Sequence, residues 1–129
     1  CAAGVACLEY YDEAKILDNV NAVGKELGEL LEKLKETHPC VGDVRYIGLF
    51  SSIELVKDKG TREPLVPYGK DPEGIMGKII GMLRAKGFMT YSHENMLFVS
   101  PPLIITEAQL REEMEKMDQV LTQVDQTML

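Results

Sequence analysis

From Ile16 to Leu34 apolar side chains recur every three or four residues: Ile16, Val20, Val23, Leu27, Leu30, Leu31 and Leu34. That spacing returns to one face of an α-helix and suits neither face of a strand. Lys25, Glu26, Glu29, Glu32, Lys33 and Glu36 fall on the opposite side, the pattern of a solvated surface. A stripe this long must be covered, so the chain has to lay this helix against another layer. The helix stops near Thr37, because His38 precedes Pro39 and is driven out of the helical region.

The other segments supply that layer. Residues 2–13 read as a helix, with a break near Ala14 and Lys15. Val44 to Val56 reads as one strand, with Ile47, Leu49, Ile53 and Leu55 on one side and Val44, Tyr46, Phe50 and Val56 on the other. Gly48, Ser51 and Ser52 predict a bulge or a close backbone contact within it. Lys57 to Gly69 is a polar loop. Asp71-Pro72-Glu73 predicts a helix start, with a capping carboxylate and proline at the first helical position, and Gly87 predicts its left-handed stop. Phe88–Ser92 and Met96–Ser100 read as strands joined in a hairpin across His93-Glu94-Asn95, and Pro101-Pro102 ends the second. Thr106 and Gln109 form a capping box, and Ile105 with Leu110 a hydrophobic staple, at the start of a last helix. The predicted order is α-α-β-α-β-β-α, an α+β domain with helices on one face of a small, mainly antiparallel sheet.

With 129 residues the chain fits one domain, 1–129, large enough for a core without metal or disulfide staples. No apolar run approaches the ~20 residues of a membrane span and no signal peptide pattern is present. The net charge of -7, with cations scattered among carboxylates, argues against nucleic acid as a partner. Cys1, Cys7 and Cys40 form no CxxC pair and, with only His38 and His93, make a poor zinc ligand set. Reduced thiols in a cytoplasmic protein are the expectation. The opening run Cys1-Ala2-Ala3-Gly4-Val5-Ala6-Cys7 is a helix of small side chains that another backbone can approach, and reads as a helix cut from its context.

No nucleophile elbow, phosphate-binding loop, dinucleotide fingerprint or HExxH helix is present. His93 beside Glu94 suits a surface turn or half of an acid–base pair. Cys7 and Cys40 lack an adjacent base and are expected to be buried, inert thiols. Arg45, a cation among apolar neighbours on a strand, is expected to be largely buried and structurally important, held by a carboxylate or loop carbonyls, with reaching a ligand as the alternative.

A set of motifs then appears in order: Thr37-His38-Pro39, Val41-Gly42-Asp43-Val44-Arg45, Gly48-Leu49-Phe50, Ile53-Glu54-Leu55-Val56-Lys57, Thr61-Arg62-Glu63-Pro64-Leu65-Val66-Pro67, Gly87-Phe88 and Val99-Ser100-Pro101-Pro102-Leu103-Ile104-Ile105-Thr106. In that spacing the whole chain resembles the C-terminal small domain of class III aminotransferases, which are fold type I pyridoxal-phosphate enzymes. The resemblance makes residues 1–14 the helix leading from a large domain. It implies that the parent is a transaminase moving an amino group from an ω-amino acid or amine to a 2-oxo acid, and a homodimer. The Schiff-base lysine and the groups that hold pyridoxal 5′-phosphate would lie in that large domain. None of the lysines here stands in such a context, so the chain alone is expected to carry no catalytic or cofactor-binding residue and to be inert.

Two positions depart from the family pattern. Many members have glycine where Tyr46 stands. Ornithine- and acetylornithine-type members carry, at the position of Phe98, an arginine that clamps a substrate carboxylate in a bidentate fork. An apolar ring cannot replace that guanidinium, so the resemblance implies either an acceptor such as pyruvate in place of 2-oxoglutarate or a carboxylate partner elsewhere. Tyr91 and His93, on the facing strand, join Phe98 as candidates for substrate recognition. The competing readings are a free-standing α+β regulatory or small-molecule-binding module, and a structural domain that dimerises through the first helix.

Overall fold

The computed structural model describes residues 1–129. Its elements are α1 (Ala2–Glu13), α2 (Ile16–Thr37), β1 (Val41–Ile47), β2 (Phe50–Asp58), β3 (Glu63–Pro64), α3 (Ile75–Ala85), β4 (Ser92–His93), β5 (Met96–Val99) and α4 (Glu107–Thr127). The sheet order is β1-β2-β5-β4, every pair antiparallel, with the short β3 added along β2. Helix α2 packs on β1, α4 packs beside α2, and α3 packs on α4. The α+β class therefore holds.

The segment read as one long strand is a hairpin. Ile47 pairs with Phe50, leaving Gly48 and Leu49 as a two-residue turn, and Gly48 sits at φ +55°. A left-handed residue at the first central position is what a type II′ turn requires, and glycine adopts it without a steric penalty. Tertiary packing requires glycine nearby as well: a Cβ on Gly24 of α2 would lie 2.8 Å from the Gly48 carbonyl carbon. The helix and the turn therefore touch backbone to backbone. A β-bulge at Gly42 interrupts the register between Val41 and Asp43, so Val41 and Val44 both face the core although three residues apart.

The core is one cluster of 25 buried residues, with Leu27, Leu31, Ile53, Leu55, Leu97 and Leu121 among those with no exposed surface. Burying a leucine in such a place contributes about 1.5–3 kcal/mol. At the start of α4 the Thr106–Gln109 capping box is present, with Gln109 N–H donating to Thr106 Oγ1 at 3.3 Å and Thr106 N–H to Gln109 Oε1 at 3.1 Å. Its staple residues Ile105 and Leu110 are both buried. Gly87, at φ +82°, ends α3 with Phe88 N–H donating back to the Leu83 carbonyl at 3.0 Å.

Helix α3 begins later than the sequence suggests. Gly74, in the left-handed region, is its N-cap, and Pro72 lies in the turn before it. Asp71 still caps the helix: its carboxylate accepts from Ile75 N–H at 2.8 Å and Met76 N–H at 3.0 Å. Of the predicted strand Phe88–Ser92 only Ser92 joins a ladder, with His93. The polar loop after β2 contributes β3, through Pro64 opposite Val56. No residue of α1 is buried, and no helix is long and apolar enough to cross a membrane.

Candidate functional site

Alternation along the strands divides the sheet into two chemistries. Val44, Ile53, Leu97 and Val99 point into the helices. Arg45, Ile47, Phe50, Glu54 and Phe98 point to the side that no helix covers. Cross-strand pairing sets Arg45, Ser52 and Phe98 in one row across β1, β2 and β5. The Phe98 ring stacks on Phe50 at a centroid distance of 6.0 Å and on Tyr91 at 5.7 Å, each with an interplanar angle of 26°. Such offset stacks contribute about 0.5–1.5 kcal/mol each beyond burial. Around the half-buried Phe98 this leaves exposed apolar groups: Ile47, Phe50, Met89 and Tyr91.

Of the three residues expected to touch substrate, the structure thus brings Tyr91 and Phe98 into ring contact. His93 lies one step along β4, exposed and opposite Met96, at the turn formed by Glu94 and Asn95. That turn is tied down by other groups. Asn95 Nδ2 donates to the Leu55 carbonyl at 2.8 Å, and Glu94 accepts from Gly69 N–H at 2.7 Å. Phe50 was not singled out from sequence. Reading 44–56 as one strand sends its ring to the wrong face, and the only clue to the reversal is Gly48.

Arg45 is corrected more sharply. Its side chain is 59% exposed, because it stands on the uncovered face. It donates to Glu54 at 2.7 Å and pairs with Asp43 at 3.3 Å. Asp43 in turn accepts from Lys35 at 2.7 Å, and that ammonium holds its carboxyl below the usual range. Tyr46 lays its ring over Gly28 of α2, a ring carbon lying 2.6 Å from where a Cβ would be. The Tyr46 ring is accommodated by a missing side chain on the helix.

A second polar cluster lies on the helix side. His38 is buried, with Nδ1 2.7 Å from Asp125 Oδ2 and Nε2 3.1 Å from Asp118 Oδ1. Cys40 N–H donates to Asp125 Oδ1 at 2.8 Å. The Cys40 thiol is pushed far up by burial and then by the Asp125 carboxylate, so it stays protonated. Cys7, expected to be buried as well, is exposed on α1.

Next to the aromatic stack runs a cleft of 680 Å³ lined by Phe88, Met89, Phe98, Ile104, Met114 and neighbouring residues. Its one ionisable side chain, Glu113, accepts from Lys116 at 2.6 Å. No lysine lines the cleft and no lysine of the chain is buried. The cleft therefore offers no lysine that could hold an aldehyde cofactor.

The sequence profile of the family described as Aminotransferase class-III matches residues 1–121. The chain belongs to the class-III aminotransferase family. It is 36% identical over 126 residues to a taurine–pyruvate aminotransferase of Bilophila wadsworthia, covering 97% of this chain and 28% of that protein. It is 33% identical to ethanolamine-phosphate phospho-lyase homolog 1 of Caenorhabditis elegans, covering 95% of this chain and 26% of that one. A taurine:2-oxoglutarate aminotransferase structure from Bifidobacterium kashiwanohense, in complex with PLP and glutamate, superposes with a TM-score of 0.95 at 43% identity, over 100% of this chain and 29% of that one. The chain thus spans between a quarter and three tenths of the length of these class-III relatives, with the same fold.

Proposed function

We propose that this chain is the C-terminal small domain of a pyridoxal-phosphate-dependent transaminase that moves an amino group from an ω-amino compound to a 2-oxo acid. Family membership supports the activity, and taurine as substrate of two relatives supports the donor class. The cofactor supplies the amino-group chemistry from a site built by residues outside this chain, and the chain alone is inert. The parent is a cytoplasmic homodimer in this reading, as the resemblance implies.

The role of the present residues is to shape the acceptor. Phe98, held between Phe50 and Tyr91, carries this reading. It stands where ornithine-type members place a carboxylate-binding arginine, and an aromatic wall there offers nothing to a second carboxylate. Losing one charge-assisted clamp is worth about 1.5–3 kcal/mol, roughly one to two powers of ten in selectivity. Pyruvate or a similar small oxo acid is therefore the preferred acceptor. The named relatives include one enzyme for each acceptor, so identity alone does not decide between them.

The test compares kcat/KM for pyruvate and 2-oxoglutarate with taurine as shared donor, in the protein extended to the length of its relatives. Pyruvate is expected to lead by about tenfold or more. A tenfold lead for 2-oxoglutarate would overturn the reading of Phe98 and point to Arg45, in the same cross-strand row, as the carboxylate partner. Turnover by the 129-residue chain alone would overturn the division of labour between domains.

A further inference from the structure

A pocket of 410 Å³ opens at the β1 edge of the sheet, and charged residues make up most of its lining. Four cations reach it from separate segments: Lys35 from α2, Arg45 from β1, and Lys59 and Arg62 from the loop after β2. Two carboxylates, Asp43 and Glu54, stand against them. Both are already committed, Asp43 to Lys35 and Arg45, and Glu54 to Arg45. Lys59 donates only to the Lys35 carbonyl, and the Arg62 guanidinium has no hydrogen-bond or ion-pair partner in the molecule. The pocket thus holds two positive charges in excess within a chain of net charge -7.

The loop that delivers the two uncommitted cations is shaped for it. The Asp58 carboxylate accepts from Thr61 N–H at 2.6 Å and folds residues 58–61 into a turn. That contact holds the Asp58 carboxyl below its usual range. Arg62 follows at φ +59°, a left-handed conformation that costs a non-glycine residue roughly 1 kcal/mol or more. On the floor, the bare Gly42 of the bulge lies against Val56, where a Cβ would approach to 2.5 Å.

We propose that this pocket binds a phosphate group, free or carried by a small metabolite. A phosphate places about two negative charges on one centre at neutral pH and offers three acceptor oxygens. That matches an excess of two positive charges from side chains converging on one spot, with an arginine fork among them. A monocarboxylate brings half that charge. The proposal uses no amine, oxo acid or cofactor, so it stands or falls apart from the transaminase reading.

The experiment titrates the 129-residue chain with inorganic phosphate at low ionic strength, following backbone amide resonances of Gly42, Lys59, Gly60 and Arg62. Glycerol phosphate and acetate are titrated in parallel. Saturable shifts confined to these residues, weakening as salt is added, are expected with phosphate and absent with acetate. Tighter binding of glycerol phosphate than of phosphate assigns a metabolite, and equal binding assigns the free ion; both support the site. Arg62→Gly, compatible with the left-handed backbone, and Lys59→Ala should each weaken binding about tenfold while the chain stays folded, as urea unfolding checks. No saturable shift, equal response to acetate, or unchanged affinity in both variants would show an ordinary solvated ion-pair network and overturn the proposal.

Discussion

Leu97 and Phe98 are neighbours in β5 and point to opposite sides of one sheet. Leu97 has no exposed surface and lies in the continuous helix–sheet core. Phe98 is half-buried among two other rings and open on the side no helix covers. The first side is closed by shape, with aliphatic groups and helix glycines admitting backbone contact. The second is built from aromatic edges and ion pairs whose partners are still partly in water. Stability is concentrated on one side, and chemistry that can meet a ligand on the other.

The sharpest way to break this contrast is to truncate both neighbours. Leu97→Ala should lower unfolding free energy by about 2–5 kcal/mol, the range for a buried leucine that leaves a cavity. Phe98→Ala should cost less, about 1–3 kcal/mol, the worth of its two aromatic contacts without a sealed core. Urea unfolding midpoints measure both. Equal losses would mean that the uncovered side also holds the fold together.

Next come the two glycines of α2. Gly24→Ala puts a methyl group 2.8 Å from the Gly48 backbone, which has nowhere to go, so a loss of about 1–3 kcal/mol is expected. Gly28→Ala meets only the end of the Tyr46 ring, which is 45% exposed and can swing outward. Its strain is offset by the better helix propensity of alanine, about 0.8–1 kcal/mol, and the net change should be near zero. Thermal unfolding of the two variants checks the order; a larger loss at Gly28 would reverse it.

The smallest effect belongs to the ion pairs of the uncovered side. Asp43 is held below its ordinary carboxylate range by Lys35 in the folded chain. A depressed folded value means that its contribution is present above the unfolded value and fades as pH falls through the folded one. Asp43→Asn should therefore lower stability slightly at neutral pH, and the loss should shrink as pH falls below about 5 through the folded value, flattening the acid limb of the stability–pH curve. A variant curve parallel to the parent over that range would remove Asp43 from the account.

The two long helices were legible because their periodicity and end signals are local. The stripe from Ile16 to Leu34 and the Thr106–Gln109 box need no knowledge of the rest of the chain. The β1–β2 hairpin was not, because its turn is Gly48-Leu49, with none of the usual Asn-Gly or Asp-Gly chemistry, flanked on both sides by strand formers. What marks Gly48 as a turn is its contact with Gly24, and that contact is tertiary. The same missed reversal put Phe50 on the wrong face. Arg45 was misjudged for a related reason: alternation gives a strand two sides but does not say which of them the helices cover. For the candidate site, Phe98 is singled out by motif position and Tyr91 by its place on the facing strand, while the ring that completes their stack depends on the hairpin.

The pairing of His38 with Asp125 also bears on how the molecule comes into being. These partners are separated by 87 residues, and Asp125 serves the Cys40 backbone as well. On a ribosome adding roughly 5–20 residues per second, the end of α2 waits on the order of 4–17 s before the last helix exists. During that interval the imidazole and the Cys40 N–H have only water to bond. Closing a loop of this length is among the slower, non-local events of folding. The clasp between α2 and α4 is thus a late one, and the α2–hairpin unit, whose contacts are nearer in sequence, has time to assemble before it.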